Sequence, residues 1–130
     1  ARLAMCRAAF APFGRRVRVL DVERRLPTPS FTVQTLEHLH ERHPDWRLHL
    51  VIGTDVLPET PLWRDFDRVA TLAPPIVLAR GEAHPAARGP VFPAVSSTAL
   101  RAAIRGGDPV ADLVPAGALA IAEREGFYRD

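Results

Sequence analysis

The sequence predicts an α/β fold in which a mostly parallel sheet is flanked by helices. Two apolar runs, Arg47 to Ile52 and Ile76 to Ala79, are short and apolar enough to be buried strands. Segments of helical period separate them, and connections of that length are too long for hairpins, so the strands should run parallel. The first run ends in Gly53-Thr54-Asp55. Glycine followed by a carboxylate at the carboxyl end of a parallel strand is where such sheets place ligand groups.

Composition bounds the function. With 130 residues, 47% of them hydrophobic and 25% charged, residues 1–130 read as a single globular domain able to bury one core. Every basic residue except histidine is arginine, so a lysine nucleophile, a Schiff base and a P-loop lysine are all excluded. The formal net charge of only +2 argues against a nucleic-acid partner. Cys6 is the sole cysteine, which excludes an internal disulfide and a cysteine-based zinc site. No apolar run has membrane-spanning length and no signal peptide is visible, so no membrane partner and a cytoplasmic location are expected. An oligomer is compatible with the composition.

In order along the chain, Leu3, Cys6, Arg7 and Phe10 recur at helical spacing, with Met5 and Ala9 beside them. This predicts a short amphipathic helix over 2–11, ended near Pro12 and Gly14, with Met5 and Phe10 in the core. Val17 to Val22 alternates and predicts a strand. Leu26-Pro27-Thr28-Pro29 predicts a loop. Ser30 is then placed to cap a helix from Phe31 to Glu41, with Val33, Leu36 and either Leu39 or His40 facing inward. His38, His40 and His43 lack a carboxylate or thiolate to complete a coordination set, so a solvated helix end is expected there and no metal.

Thr60-Pro61 opens a predicted helix over 62–72 that turns Phe66 and Val69 inward. Trp63, at its start, is either a core lid or a platform for a flat ring. Asp55 alone reads equally as a turn residue. Residues 81–90 form a polar, turn-rich loop, and Val91-Phe92 a short strand. Pro115 and Gly126 bracket a final helix containing Leu119 and Ala122.

Val95-Ser96-Ser97-Thr98-Ala99-Leu100-Arg101 carries the chemistry. Ser96 or Ser97 can cap a helix whose inward residues are Leu100 and Ile104 and which Gly106-Gly107 stops. The N–H groups left over, with the positive end of the helix dipole, make an anion site. Arg101 lies four residues beyond Ser97 on the same face, its side chain leaning toward that end, and a guanidinium fork suits phosphate. An ordinary cap and a solvated arginine would give the same residues. What favours the anion site is the topology, which should bring the ends of both strands and this helix start to one crevice.

Taken together, these residues resemble the bacterial nicotinate mononucleotide adenylyltransferase family over nearly the whole chain. Pro29-Ser30-Phe31-Thr32-Val33-Gln34-Thr35-Leu36 is similar to its P-S-Y/F-T-x-x-T-L segment. Gly53-Thr54-Asp55 followed by Leu62-Trp63 is similar to its G-x-D and W pattern, and Val95 to Arg101 to its S-S-T-x-x-R signature. Leu113-Val114-Pro115 through Gly126-Phe127-Tyr128 matches its tail. The resemblance implies a Rossmann-like nucleotidyltransferase fold and adenylyl transfer from ATP, carried with Mg2+, to nicotinate mononucleotide in NAD biosynthesis. It implies that Ser97, Thr98 and Arg101 hold the ATP phosphates, with Arg101 as the catalytic residue. Gly53 and Asp55 would lie along the nucleotide, Asp55 accepting from ribose hydroxyls. Trp63 would stack on the nicotinate ring, and backbone N–H groups near Thr32 or Thr35 and at Arg64 would hold its carboxylate.

One element of the family pattern is not found: the N-terminal strand with its glycine- and histidine-containing phosphate loop. The resemblance therefore implies a fragment of a longer chain, weak or inactive alone. Two alternatives remain at this point. Pantetheine-phosphate adenylyltransferase shares the serine-rich signature but has no use for Trp63 or the Ser30–Leu36 segment. A non-catalytic nucleotide-binding module is the other.

Overall fold

Parallel pairing holds the middle of the chain in the computed structural model, which describes residues 1–128. Strand β1 (Val51–Gly53) pairs with β2 (Ile76–Leu78) in the register Val51 to Ile76, Ile52 to Val77 and Gly53 to Leu78. The ladder gains one bond at each end, Ile76 N–H to the Leu50 carbonyl at 2.8 Å and Thr54 N–H to the Leu78 carbonyl at 2.9 Å. β1 is shorter than the predicted 47–52. The residues before Ile76 are Pro74 and Pro75, which have no N–H to donate, so the ladder cannot extend further upstream. The predicted strand at Val91-Phe92 reduces to a single parallel bridge from Phe92 to Arg80.

Five α-helices accompany the strands: α1 (Arg2–Phe10), α2 (Thr32–Arg42), α3 (Phe66–Leu72), α4 (Ser97–Gly106) and α5 (Ala116–Arg124). By internal packing the chain divides into two compact units. One comprises Ala1–Asp21 with the residues from Val95 onward; the other is Val22–Ala94.

In the Val22–Ala94 unit, Val33 and Leu36 of α2 meet Val69 of α3 and Ala73 in the buried core, with Leu48, Leu50 and Phe66 packed around them. Val69 is completely buried. Leu39, and not His40, is the inward residue of the last turn of α2. Ser30 is not the cap of that helix. Phe31 holds the N-cap position, and its N–H is taken by the Gln34 side-chain carbonyl at 2.9 Å. That is the reciprocal half of a capping box, so no serine is needed.

α3 begins at Phe66, four residues later than predicted. Leu57–Leu62, with a proline in its first turn and Pro61 within it, forms a 3₁₀ helix instead. Trp63 is extended and Asp65 is left-handed at φ 52°, so an α-helix cannot run through them.

In the other unit, α1 packs against α5. Gly117 makes that possible: a Cβ there would sit 2.8 Å from the Ala8 carbonyl oxygen. Ala118 and Ala122 of α5 are buried. No residue of α1 is, and Phe10 is 45% exposed, touching Phe13 and not filling a core. The alternation over 17–22 does not produce a strand. Val17 is extended, but the segment joins no sheet among the described residues and Val22–Arg25 coils into a 3₁₀ turn. Alternation describes one strand's two faces and supplies no neighbour to bond with. Among the described residues no helix is long and apolar enough to cross a membrane.

Candidate active site

The helix start at the serine pair forms as its residues dictate. Ser96 is the N-cap of α4, and its hydroxyl oxygen accepts the Ala99 N–H at 3.1 Å. Leu100 N–H goes to the Ser96 carbonyl at 3.0 Å, which leaves the N–H groups of Ser97 and Thr98 without intrahelical partners. The far end closes as the glycine pair predicts. Gly107 is left-handed at φ 77°, and the Asp108 N–H reaches back to the Ala103 carbonyl at 2.9 Å.

Ser97 and Arg101 open onto one cleft of about 140 Å³, otherwise apolar, with Met5, Leu100, Ile104 and Leu119 among its lining. Leu100 and Ile104, expected to face a core, are half-buried and form the cleft wall, and no residue of α4 is fully buried. The Arg101 guanidinium lies over the Tyr128 ring, 5.8 Å from its centroid. At an exposed site such a cation–π contact is weak, so it leaves the guanidinium easily drawn to an anion.

In the Val22–Ala94 unit, the start of α2 and the turn before α3 enclose a second cleft, of about 290 Å³. Ser30, Phe31, Thr32, Leu62, Trp63 and Arg64 line it. Thr32, Trp63 and Arg64 are thus brought together. Thr35 does not line this cleft, and its N–H is donated to the Phe31 carbonyl at 3.3 Å, so of the two threonines only Thr32 keeps a main-chain donor for a ligand. Two aromatic contacts fix the walls. The Arg64 guanidinium sits 4.9 Å from the centroid of the Phe31 ring. Trp63 meets Phe66 edge to face, 6.0 Å between centroids and 89° between planes. The indole is half-buried, so it is partly core and partly cleft wall.

Gly53 and Asp55 lie at the carboxyl end of β1, as predicted, and there the structure adds a residue that sequence reasoning missed. Arg80, just beyond the carboxyl end of β2, reaches Asp55 Oδ2 through Nη1 at 2.7 Å. Its N–H donates to Thr54 Oγ1 at 3.1 Å. The available signal was position alone, a charged residue at the end of the neighbouring parallel strand. Among the histidines, His43 stacks on Trp46 at 3.7 Å. Among the described residues no group of three or more His, Cys, Asp or Glu is placed to hold a metal ion.

No protein-family model matches the chain. Curated relatives do. The chain is 44% identical over 132 residues to a probable nicotinate-nucleotide adenylyltransferase of Anaeromyxobacter sp. (strain K), a match covering 98% of this chain and 70% of that one. It is 39% identical over 128 residues to the protein of that name from Myxococcus xanthus (strain DK1622), covering 98% and 67%. Against the Gemmatimonas aurantiaca protein of the same name the identity is 32% over 148 residues, covering 99% and 68%.

Proposed function

The chain belongs to the nicotinate-nucleotide adenylyltransferase family of nucleotidyltransferases, and from that premise we propose that it moves the adenylyl group of ATP onto nicotinate mononucleotide. The products are deamido-NAD and pyrophosphate. The observation that carries the acceptor's identity is the cleft of Thr32, Trp63 and Arg64. It offers an indole to a flat ring, with the α2 helix start and a guanidinium for a carboxylate on that ring. A pyridine carboxylate has both features.

In the reaction a phosphate oxygen of the mononucleotide forms a bond to the α-phosphorus of ATP while the bond from that phosphorus to the bridging oxygen breaks. The electron pair leaves with pyrophosphate, and no covalent enzyme intermediate is required. Such chemistry asks the protein for positioning and for positive potential where charge develops. The Ser97 and Thr98 N–H groups supply it at the start of α4, and Arg101 supplies a guanidinium on the bridging and leaving oxygens. Asp55 accepts from ribose hydroxyls of the nucleotide, with Gly53 giving the backbone its close approach. Magnesium would arrive with the triphosphate and keep most of its waters, supplying further positive charge to the phosphates.

The test is product formation by the full-length protein from ATP with nicotinate or nicotinamide mononucleotide, followed by chromatography of the dinucleotide. The expected result is product from both, with nicotinate preferred at least tenfold because Arg64 lies beside the ring site. Arg101→Ala should lower turnover by roughly 10²–10³-fold, the range for loss of one preorganised donor, with mononucleotide affinity unchanged. Turnover within threefold of the parent would make Arg101 a surface arginine and remove the phosphate assignment.

A further inference from the structure

The carboxyl edge of the β1–β2 pair contains a knot of three residues that the proposed reaction does not by itself explain. Asp55 Oδ2 is held by Arg80 Nη1 at 2.7 Å, and Arg80 is in turn fixed at its own backbone by Thr54 Oγ1 at 3.1 Å. Both side chains fold back over Gly53. A Cβ on Gly53 would collide with Asp55 Oδ1 and would come 2.8 Å from Cδ of Arg80. The absent side chain of Gly53 is therefore the space in which the ion pair is assembled.

An aspartate two residues beyond a strand end ordinarily has several rotamers open to it, and a half-exposed carboxylate gains little from pairing as such. What the pair provides is direction. One carboxylate oxygen is committed to the guanidinium, and the other is confined against Gly53. The pair thereby holds the carboxylate in one direction, with half of the side chain still open to a donor.

From this geometry we infer that Arg80 is a positioning residue, which presents the Asp55 carboxylate to the ribose hydroxyls of the bound nucleotide. The inference rests on the proposed function, since it takes the ligand of Asp55 to be a ribonucleotide. It adds that the affinity Asp55 provides depends on Arg80 although the two are 25 residues apart. Arg80 acts through Asp55 and not on the ligand.

A double-mutant cycle on the full-length protein tests this, with ATP affinity measured by titration calorimetry and a thermal melt of each variant. Asp55→Asn and Arg80→Gln should each weaken ATP binding about fivefold to tenfold. The double variant should be no more than twofold worse than Asp55→Asn alone. Arg80→Lys keeps the stem that packs over Gly53 and a positive end, so it should recover affinity to within threefold of the parent, and it serves if Arg80→Gln fails to fold. With 2′,3′-dideoxy-ATP the Arg80 substitutions should have no effect. Effects of the two substitutions that multiply would show Arg80 contacting the ligand itself and overturn the inference. So would an unchanged affinity in folded Arg80→Gln. Failure of the unsubstituted full-length protein to bind ATP at all would instead overturn the proposed function, and this inference with it.

Discussion

Trp63 shows how one residue can serve two purposes. Its edge-to-face contact with Phe66 ties it to the α3 side of the core, while another part of it lines the cleft with Thr32 and Arg64. The aromatic pair is worth about 0.5–1.5 kcal/mol beyond buried area. Trp63→Ala should therefore lower the melting temperature by a few degrees and weaken nicotinate mononucleotide binding about tenfold or more, with ATP affinity nearly unmoved. Paired titrations and a melt separate the two effects. Equal loss for both ligands together with a loss of several kcal/mol of stability would make Trp63 a core residue only. Asp55 and Arg80 could not have been read as a pair from the sequence. Nothing in either local pattern names a partner on the next strand, and each residue alone passes for a turn residue.

At the scale of elements, the close approach of α1 to α5 depends on one missing methyl group. In a free helix alanine is better than glycine by about 1 kcal/mol, so Gly117→Ala would stabilise α5 if nothing faced it. Here the new Cβ meets the Ala8 carbonyl at 2.8 Å, and that oxygen belongs to helix backbone that cannot swing aside. Overpacking costs about 1–3 kcal/mol, which exceeds the propensity gain. The variant should melt lower than the parent in a calorimetric scan; a higher melting point would mean that the two helices separate freely.

The elements most legible in the sequence were those whose signals are local. The Ser96 cap and Gly107 stop of α4 were of this kind, as were the inward Val33 and Leu36 of α2. The misread ones depended on something distant or on backbone angles. The 17–22 segment has the alternation of a strand but no ladder, and α3 starts late because Trp63 is extended and Asp65 left-handed. Of the candidate site, Thr32, Trp63 and Arg64 were legible through resemblance and do share a cleft. Thr35 was not separable from Thr32 until the hydrogen bonds showed whose N–H was already spent.

For the whole molecule, exposed apolar surface on the sheet sets the behaviour in solution. Val51 is 57% exposed and its register partner Ile76 37%, and Val91 and Phe92 are exposed as well. Among the described residues β1 pairs only with β2. A strand edge and apolar side chains open to water favour association, and a net charge of +2 offers little repulsion against it. Sedimentation velocity should show concentration-dependent self-association in the micromolar range, and Val51→Lys should reduce it without lowering the melting temperature by more than a few degrees. A monomer at every concentration would show that this surface is inert.

The division of the chain into units also orders its manufacture. The Val22–Ala94 unit is one unbroken stretch, so every residue its core requires has been joined before α4 is made. The other unit is interrupted: α1 is made before the Val22–Ala94 stretch, and the helix it packs against, α5, only after it. Until then α1 lacks α5, while the middle of the chain can already fold. The cleft beside Ser97 and Arg101 is lined from both α1 and α5, so the proposed phosphate-binding side forms only after the Val22–Ala94 stretch has been made.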